Sequence, residues 1–486
     1  MVPMVVTMPA DASDIRRSAF QRLGRRVDHA ANRLHVPEAV AEGRLVNLSG
    51  MRLQVEGLNA GIGSRCLIHT ARREGIEAEV IGFDGDRLIL MCEGGAEGLK
   101  PGARVTQLTG SGRVAVGADL LGRVIDGAGQ PLDGFKHKPG ELTVPLRGGP
   151  INPMDRAGIS SPMDVGVRAI NSLVTIGRGQ RMGLFAGSGV GKSTLLGMMT
   201  RFTEADVIVV GLVGERGREV REFVEDSLGP EGLARAVVVA TPADTSPLMR
   251  VAGCWRATAI AEYYRAQGLN VLLLIDSLTR FAHAQREIGL AAGEPPVSRG
   301  YTPSVFSLLP NLIERAGNVG AGSITAIYTV LTEGDDLQDP IADSARAILD
   351  GHIVLSRQTA ESGLFPAIDV EASVSRSMLQ IVEPEHLQHA RLVKEAYATY
   401  RANRDLISVG AYRQGSDPKI DMAIHSQEAI RSLVEQPLNQ PADFSSSLKA
   451  LDETVSRMQV TQVVEPAGHQ GRARPQMGGQ PPALAR

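Results

Sequence analysis

The residues in this chain best suited to chemistry form one tight run, Ala186-Gly187-Ser188-Gly189-Val190-Gly191-Lys192-Ser193. Its glycines let successive backbone N–H groups turn inward around an anion, and a lysine and a hydroxyl follow them. An apolar stretch at 181–186 precedes the run and a helical pattern at 193–202 follows it, the setting of a phosphate-binding P-loop. In that setting Lys192 reaches the β- and γ-phosphates of a nucleotide and Ser193 offers its hydroxyl to Mg2+. Gly187, Ser188, Gly189, Val190, Gly191 and Thr194 complete the predicted cradle. Ala186 stands where the pattern starts with glycine. A plain glycine-rich turn is the alternative; strand, spacing, Lys-Ser pair and helix together argue against it.

Two carboxylates could complete such a site. Asp276 ends the apolar run 271–275, and ligands of parallel sheets bind at the carboxyl ends of the strands. There it could order the water shell of Mg2+, as a Walker B aspartate does. Aspartate after an apolar strand is also a common helix cap, so both readings stand. Glu215 follows the run 207–213 within Gly214-Glu215-Arg216-Gly217-Arg218-Glu219, and a glutamate so placed could polarise a water attacking a γ-phosphate. A surface charge cluster fits the same spacing. His386 and His389 have no cluster of further ligands around them and read as satisfied or exposed histidines. No Ser/His/Asp order stands out as a hydrolase signature.

The elements that must hold these residues have the grammar of a mostly parallel α/β sheet. Continuous Val/Ile/Leu-rich runs at 181–186, 207–213, 236–241, 271–276, 324–331 and 352–355 predict strands buried on both faces. Helical patterns at 193–202, 219–228, 249–267 and 304–316 lie between most of them. Ahead of this core, short runs at 45–46, 51–55, 65–68, 77–81 and 87–91, separated by turns such as Asp84-Gly85, predict a small β-barrel or sandwich. Behind it, 385–404, 420–435 and 445–460 read as helices. The predicted fold is thus α/β, with an N-terminal β-barrel or sandwich at 38–112, a core at 113–384 and a C-terminal α-helical domain at 385–460. The stretch 461–486 has the composition of a disordered tail. In 1–37, Ile15, Ala19, Leu23, Val27, Ala30 and Leu34 fall on one helical face among six arginines and three aspartates. That basic helix is either a solvated part of its own domain or a docking helix for a partner or an anionic membrane surface.

Composition narrows the classes. The chain has 486 residues, 43% hydrophobic and 22% charged, which suits roughly three units at ~150 residues each. Its 54 acidic residues nearly balance 51 basic ones, and only 4% of residues are aromatic, which disfavours a nucleic-acid grip. Cys66, Cys92 and Cys254 are too few and too scattered for a disulfide framework or a cysteine zinc site. No run approaches the ~18 apolar residues of a membrane span. The start, interrupted by Pro3 and without a basic n-region, does not read as a secretory signal. The expectation is a cytoplasmic protein whose membrane contact, if any, is peripheral.

Over about residues 40–440 the sequence resembles the catalytic subunits of rotary F-type ATP synthases, and more specifically the type III export ATPases, with the flagellar branch nearest. The P-loop, Gly214-Glu215-Arg216 and Leu274-Ile275-Asp276-Ser277-Leu278-Thr279-Arg280 carry the resemblance. So do Gly293-Glu294-Pro295-Pro296, Gly300-Tyr301-Thr302-Pro303-Ser304, and the run from Pro366 to Arg376, which fits the ATP synthase α/β signature. The wording Ala284-Gln285-Arg286-Glu287-Ile288 is more flagellar than virulence-type.

The resemblance implies a RecA-like P-loop core and an ATPase working with Mg2+ and ATP. It makes Glu215 the general base and places Arg216 and Arg280 near the γ-phosphate. Phe365 would stack on adenine, with Tyr412 sharing that pocket, and Arg376 would be an arginine finger reaching a neighbouring subunit's nucleotide. Mg2+ would be held by Ser193 and, through water, by Asp276. A homohexameric ring is implied, with a stator-like regulatory protein on the N-terminal helix. Further implied partners are the export gate, chaperones and flagellar export substrates, met at the inner membrane at the flagellar base. Virulence-type export and a rotary synthase subunit, catalytic or not, are the alternatives. A non-catalytic subunit usually carries Gln where this chain has Glu215.

Overall fold

The computed structural model describes residues 41–460 apart from 71–74, 109–111, 136–141 and 333–338, together with positions 20, 23, 24 and 26. Of the predicted N-terminal helix, only Phe20, Leu23, Gly24 and Arg26 are therefore described, all helical and exposed. The rest of that helix and the tail at 461–486 lie outside the described residues.

Six strands, Glu42–Ser49, Arg52–Glu56, Arg65–Ile68, Ile76–Asp84, Arg87–Cys92 and Arg104–Gln107, close into a barrel in the order first, second, fifth, fourth, third, sixth. Alternation sets the inward face: Leu53 and Val55 from one strand, Cys66 and Ile68 from another, all fully buried. Closure removes the exposed edges that an open sheet of this length would present. The strand without a sequence signal is Arg104–Gln107, which buries only Val105.

The core sheet runs in the order Val374–Ser375, Gly351–Val354, Arg181–Ala186, Gly322–Leu331, Asn270–Asp276, Val207–Val213, Ala236–Thr241, Arg123–Ile125. All of these pairings are parallel except the first. The six runs predicted as buried strands are all present. Val207–Val213 shows why they read as continuous rather than alternating: all seven residues are buried. Val209 and Val213 enter the core on one face, and Ile208, Val210 and Leu212 enter the core on the other. Helices Pro247–Ala266, Leu278–Ala292 and Pro303–Ile313 supply the first core, while Lys192–Phe202 and the C-terminal helices Pro384–Ser408, Pro418–Val434 and Phe444–Val460 supply the second. The helical pattern at 219–228 resolves into Gly217–Glu222 followed by a wider π-type turn at Phe223–Leu228.

Capping side chains mark several helix starts. Ser246 and Ser277 accept from backbone N–H groups in the first turns of Pro247–Ala266 and Leu278–Ala292, and Asp417 does the same for Pro418–Val434. Gln436 is buried at the join between the C-terminal helices and the core. Its side chain donates to the carbonyls of Gly166 and Gln440, and its backbone N–H donates to the carbonyl of Phe365 at 3.0 Å. The same residue accepts from the N–H of Arg168 at 2.7 Å. His386 bonds the carbonyl of Ser172 and His389 bonds Asp452, so both histidines join helices to their surroundings. All three cysteines are free and buried.

Candidate active site

Register brings the chemistry together. Ala186 pairs with Leu331, Ile275 with Tyr328, and Leu212 with Asp276, so the carboxyl ends of four adjacent strands share one rim. The cradle leaves the first of these strands. Gly189 and Gly191 hold φ of 78° and 87°, a left-handed region that only glycine enters without strain. Helix Lys192–Phe202 starts on Gly191 without a side-chain cap, which leaves its first N–H groups open to an anion.

Lys192 extends from that helix to both predicted carboxylates. Its Nζ lies 2.5 Å from Asp276 Oδ1 and 3.1 Å from Glu215 Oε1. Burial works against the Lys192 ammonium, but the two carboxylates outweigh it and raise its pKa above the ordinary lysine value. Burial also raises the Glu215 carboxyl above the usual glutamate value; Lys192 opposes this and Glu219 adds to it. Asp276 is 4% exposed, and its Oδ1 also accepts from the Thr329 hydroxyl at 2.6 Å. Thr329 stands on Gly322–Leu331, the strand between the cradle strand and the Asp276 strand.

Other predicted residues surround this cluster. Gly214, at φ 70°, lies against the Arg280 stem, and a Cβ there would come within 2.8 Å of Arg280 Cβ and Cγ. The Nε of Arg280 is buried and finds no hydrogen-bond partner. Phe365 is partly exposed, and its ring lies 3.4 Å from the point a Cβ on Gly191 would occupy. Arg357 donates to the Ser188 carbonyl at 3.4 Å. Ser193 is exposed at the rim and Thr194 half-buried. An uncapped helix start, a buried lysine, an unpartnered buried Arg280 Nε and two carboxylates fit a phosphate chain with its divalent cation.

Three predicted residues are not brought into the cluster. Arg216 occupies the position before helix Gly217–Glu222 in extended conformation, which turns its side chain to solvent, 85% exposed, with Glu219 at 3.8 Å. Tyr412 is committed elsewhere: its hydroxyl bonds Asp421 Oδ1 and the Asp417 carbonyl, both at 2.9 Å, at the turn before Pro418–Val434. Arg376 is exposed at the sheet edge beyond Val374–Ser375, where it donates to the Arg346 carbonyl at 3.4 Å.

The nucleotide-binding domain of the ATP synthase alpha/beta family matches residues 166–375, and the C-terminal domain of the type III secretion ATPase EscN matches 382–453. A flagellum-specific ATP synthase of Pseudomonas aeruginosa is 55% identical over 442 residues, 89% of this chain and 97% of the relative. The chain belongs to the flagellar and type III secretion ATPases of the ATP synthase alpha/beta family. A type 3 secretion system ATPase of Xanthomonas euvesicatoria is 50% identical, covering 84% of this chain and 92% of that one. Solved structures of the assembled ATPase EscN from enteropathogenic E. coli, alone and with its central stalk EscO, match at TM-scores of 0.81 and 0.79. They are 44% and 43% identical, and each covers 85% of this chain and the whole of the other.

Within this family site, sequence reasoning missed Thr329 and Arg357. The signal for Thr329 was a hydroxyl inside a strand that is otherwise apolar near its carboxyl end. Arg357 opens the short polar helix Arg357–Glu361 and carries no pattern of its own.

Proposed function

We propose that the chain is the Mg2+-dependent ATPase of a flagellar protein export apparatus. One observation carries this reading: Lys192 of the P-loop is bound to Glu215 and Asp276, a base and a metal-type carboxylate, on adjacent strand ends. In this reading the phosphate chain lies on the open N–H groups of the cradle, and Lys192 turns from the carboxylates to the β- and γ-phosphates. Ser193 and Asp276 would hold the cation, Asp276 through water, and Mg2+ bound there would supply neutralisation of the phosphate charge. Glu215 orients the attacking water and takes its proton, and burial, which raises its pKa above the usual glutamate value, makes it a stronger base. Arg280 lies along the same wall as Glu215, with a buried donor to offer. Phe365 provides an aromatic face for adenine beside Gly191.

Arg376 is exposed and makes no part of this cluster, which leaves it free to act on the next subunit's nucleotide in this reading. A single chain with both Glu215 and Arg376 can form a closed head-to-tail ring in which each copy completes its neighbour. A homohexamer, a stator-like partner on the basic helix at 11–36, and a cytoplasmic place at the inner membrane belong to this proposal, as do the export gate, chaperones and flagellar substrates. The structures of assembled EscN, alone and with its central stalk EscO, support assembly of several copies and a stalk-type partner by analogy. The flagellar choice rests on 55% identity to a flagellum-specific relative against 50% to a type 3 secretion ATPase.

The test pairs turnover with export. The purified protein should hydrolyse ATP with Mg2+ and stop when EDTA removes it. A strain lacking the gene should export no hook or filament protein and should recover with the parent gene but not with Glu215→Gln. Intact filaments together with lost effector secretion would assign the chain to virulence-type export instead.

A further inference from the structure

Phe365, over its own chain's cradle, and Arg376, exposed and outside the cluster of Lys192, Glu215 and Asp276, are the two ends of one strap, 365–376. On the sheet side this strap is pinned by hydrogen bonds. Ser373 Oγ donates to the Asp369 carbonyl at 2.6 Å and accepts from the Val354 N–H at 3.0 Å. Asp369 Oδ1 accepts from the N–H groups of Glu371 and Ala372, both at 3.1 Å. The Arg376 N–H donates to the Asp350 carbonyl at 3.0 Å.

On its other side the strap is held by two cations of the C-terminal helix Pro384–Ser408. Lys394 Nζ donates to the Ser373 carbonyl at 3.0 Å. Arg401 Nη1 donates to Asp369 Oδ2 at 2.7 Å and lies 3.3 Å from Glu371 Oε2. Lys394 and Arg401 are two helical turns apart, so they share one face of the helix. Packing beside them is interrupted by a cavity of about 500 Å³, with Leu364, Ile368 and Val370 on the strap side and Tyr397, Arg401 and Ile430 on the helical side. Ile368 and Val370 of the strap also share one apolar core with Val393 and Ala396 of the helix, so these polar contacts act beside apolar packing. Burial lowers the Lys394 ammonium to about 8, a cost that an apolar side chain filling the same space would not bear. What the ammonium adds is a fixed donor to the strap three residues before Arg376.

We propose that Lys394 and Arg401 are positioning residues for Arg376, tying the C-terminal helical domain to the strap so that this domain sets how the arginine is presented to the neighbouring copy. The proposal rests on the reading of Arg376 as a group that acts across the subunit interface.

Mixed rings test it. Chains carrying Glu215→Gln can lend Arg376 to chains carrying Arg376→Ala, whose own Glu215 is intact, and the mixture should regain hydrolysis that neither chain shows alone. Lys394→Met on the lending chain should then lower the recovered kcat about 3- to 30-fold with KM unchanged. The same substitution on the receiving chain should leave the recovered rate unchanged, and Lys394→Arg on the lending chain should restore most of the loss. Arg401→Lys on the lending chain is the second variant and should behave like Lys394→Met. Thermal midpoints matching the parent show that folding is intact. Equal losses from either chain, or none from either, would overturn the proposal. No recovery in the starting mixture would instead remove the trans reading itself, before any substitution in the C-terminal helix is introduced.

Discussion

Glu215 lies four residues before Glu219, and among the described residues Lys192 compensates the first of them. Burial raises the Glu215 pKa, Lys192 pulls it down, and the Glu219 carboxylate pushes it up again. A base that must be deprotonated loses activity as pH falls through its pKa. The acid limb of kcat/KM should therefore lie above the ordinary glutamate range of about 4.3. Glu219→Gln removes one negative neighbour and should move that limb to lower pH. A limb that stays fixed or moves upward would exclude Glu219 as a cause. The Thr329 hydroxyl makes a comparable contribution to Asp276. Thr329→Val leaves a buried carboxylate oxygen short of a donor, which should cost about 1–3 kcal/mol in urea denaturation. The same variant should need more Mg2+ for half-maximal binding of a fluorescent nucleotide, and Thr329→Ser should recover both properties. Lys192 was legible through its glycine-rich run, whereas Asp276 and Glu215, each beside the end of an apolar run, took their roles from the P-loop and the resemblance. Thr329 was not, because a threonine inside a strand reads as an ordinary β-former.

The strands of the core positioned the site before any contact was known, since buried parallel strands write themselves as unbroken apolar runs. The barrel was less legible. Its sixth strand, Arg104–Gln107, has one buried side chain and owes its place to pairing with Glu42–Ser49 and Arg65–Ile68 rather than to pattern. The strap 365–376 is a more telling case, because its path depends on long-range partners. Gln436, more than sixty residues downstream, donates to the Phe365 carbonyl and so sets the ring beside Gly191. Sequence pattern cannot show such a bond. If that ring receives adenine, Phe365→Ala should weaken ADP binding by about 1–3 kcal/mol in calorimetry, and Phe365→Trp should retain most of the affinity. Unchanged ADP affinity in Phe365→Ala would place the base elsewhere.

At the scale of the whole molecule, the exposed position of Arg376 is the consequential fact. Among the described residues its side chain donates to the Arg346 carbonyl, and it lies outside the cluster formed by Lys192, Glu215 and Asp276. No pattern within one copy can reveal a site shared between two; the resemblance to rotary ATPases supplied the expectation that Arg376 acts on a neighbour. If neighbours complete one another's sites, the rate per chain should rise with protein concentration as rings form. Arg376→Ala should flatten that rise while the ring still assembles in sedimentation. A full rate per chain at dilutions where only single chains are present would refute shared sites.

The central claim is that a nucleoside triphosphate lies in the glycine-rich cradle against Lys192, with Glu215 acting on water from the same chain. Equilibrium binding and turnover, measured side by side on two variants, test it most directly. Glu215→Gln should bind ATP with Mg2+ as tightly as the parent while turnover falls about 10²- to 10⁴-fold, and Lys192→Ala should lose both binding and turnover. A Lys192→Ala protein that binds and cleaves ATP like the parent would contradict the account.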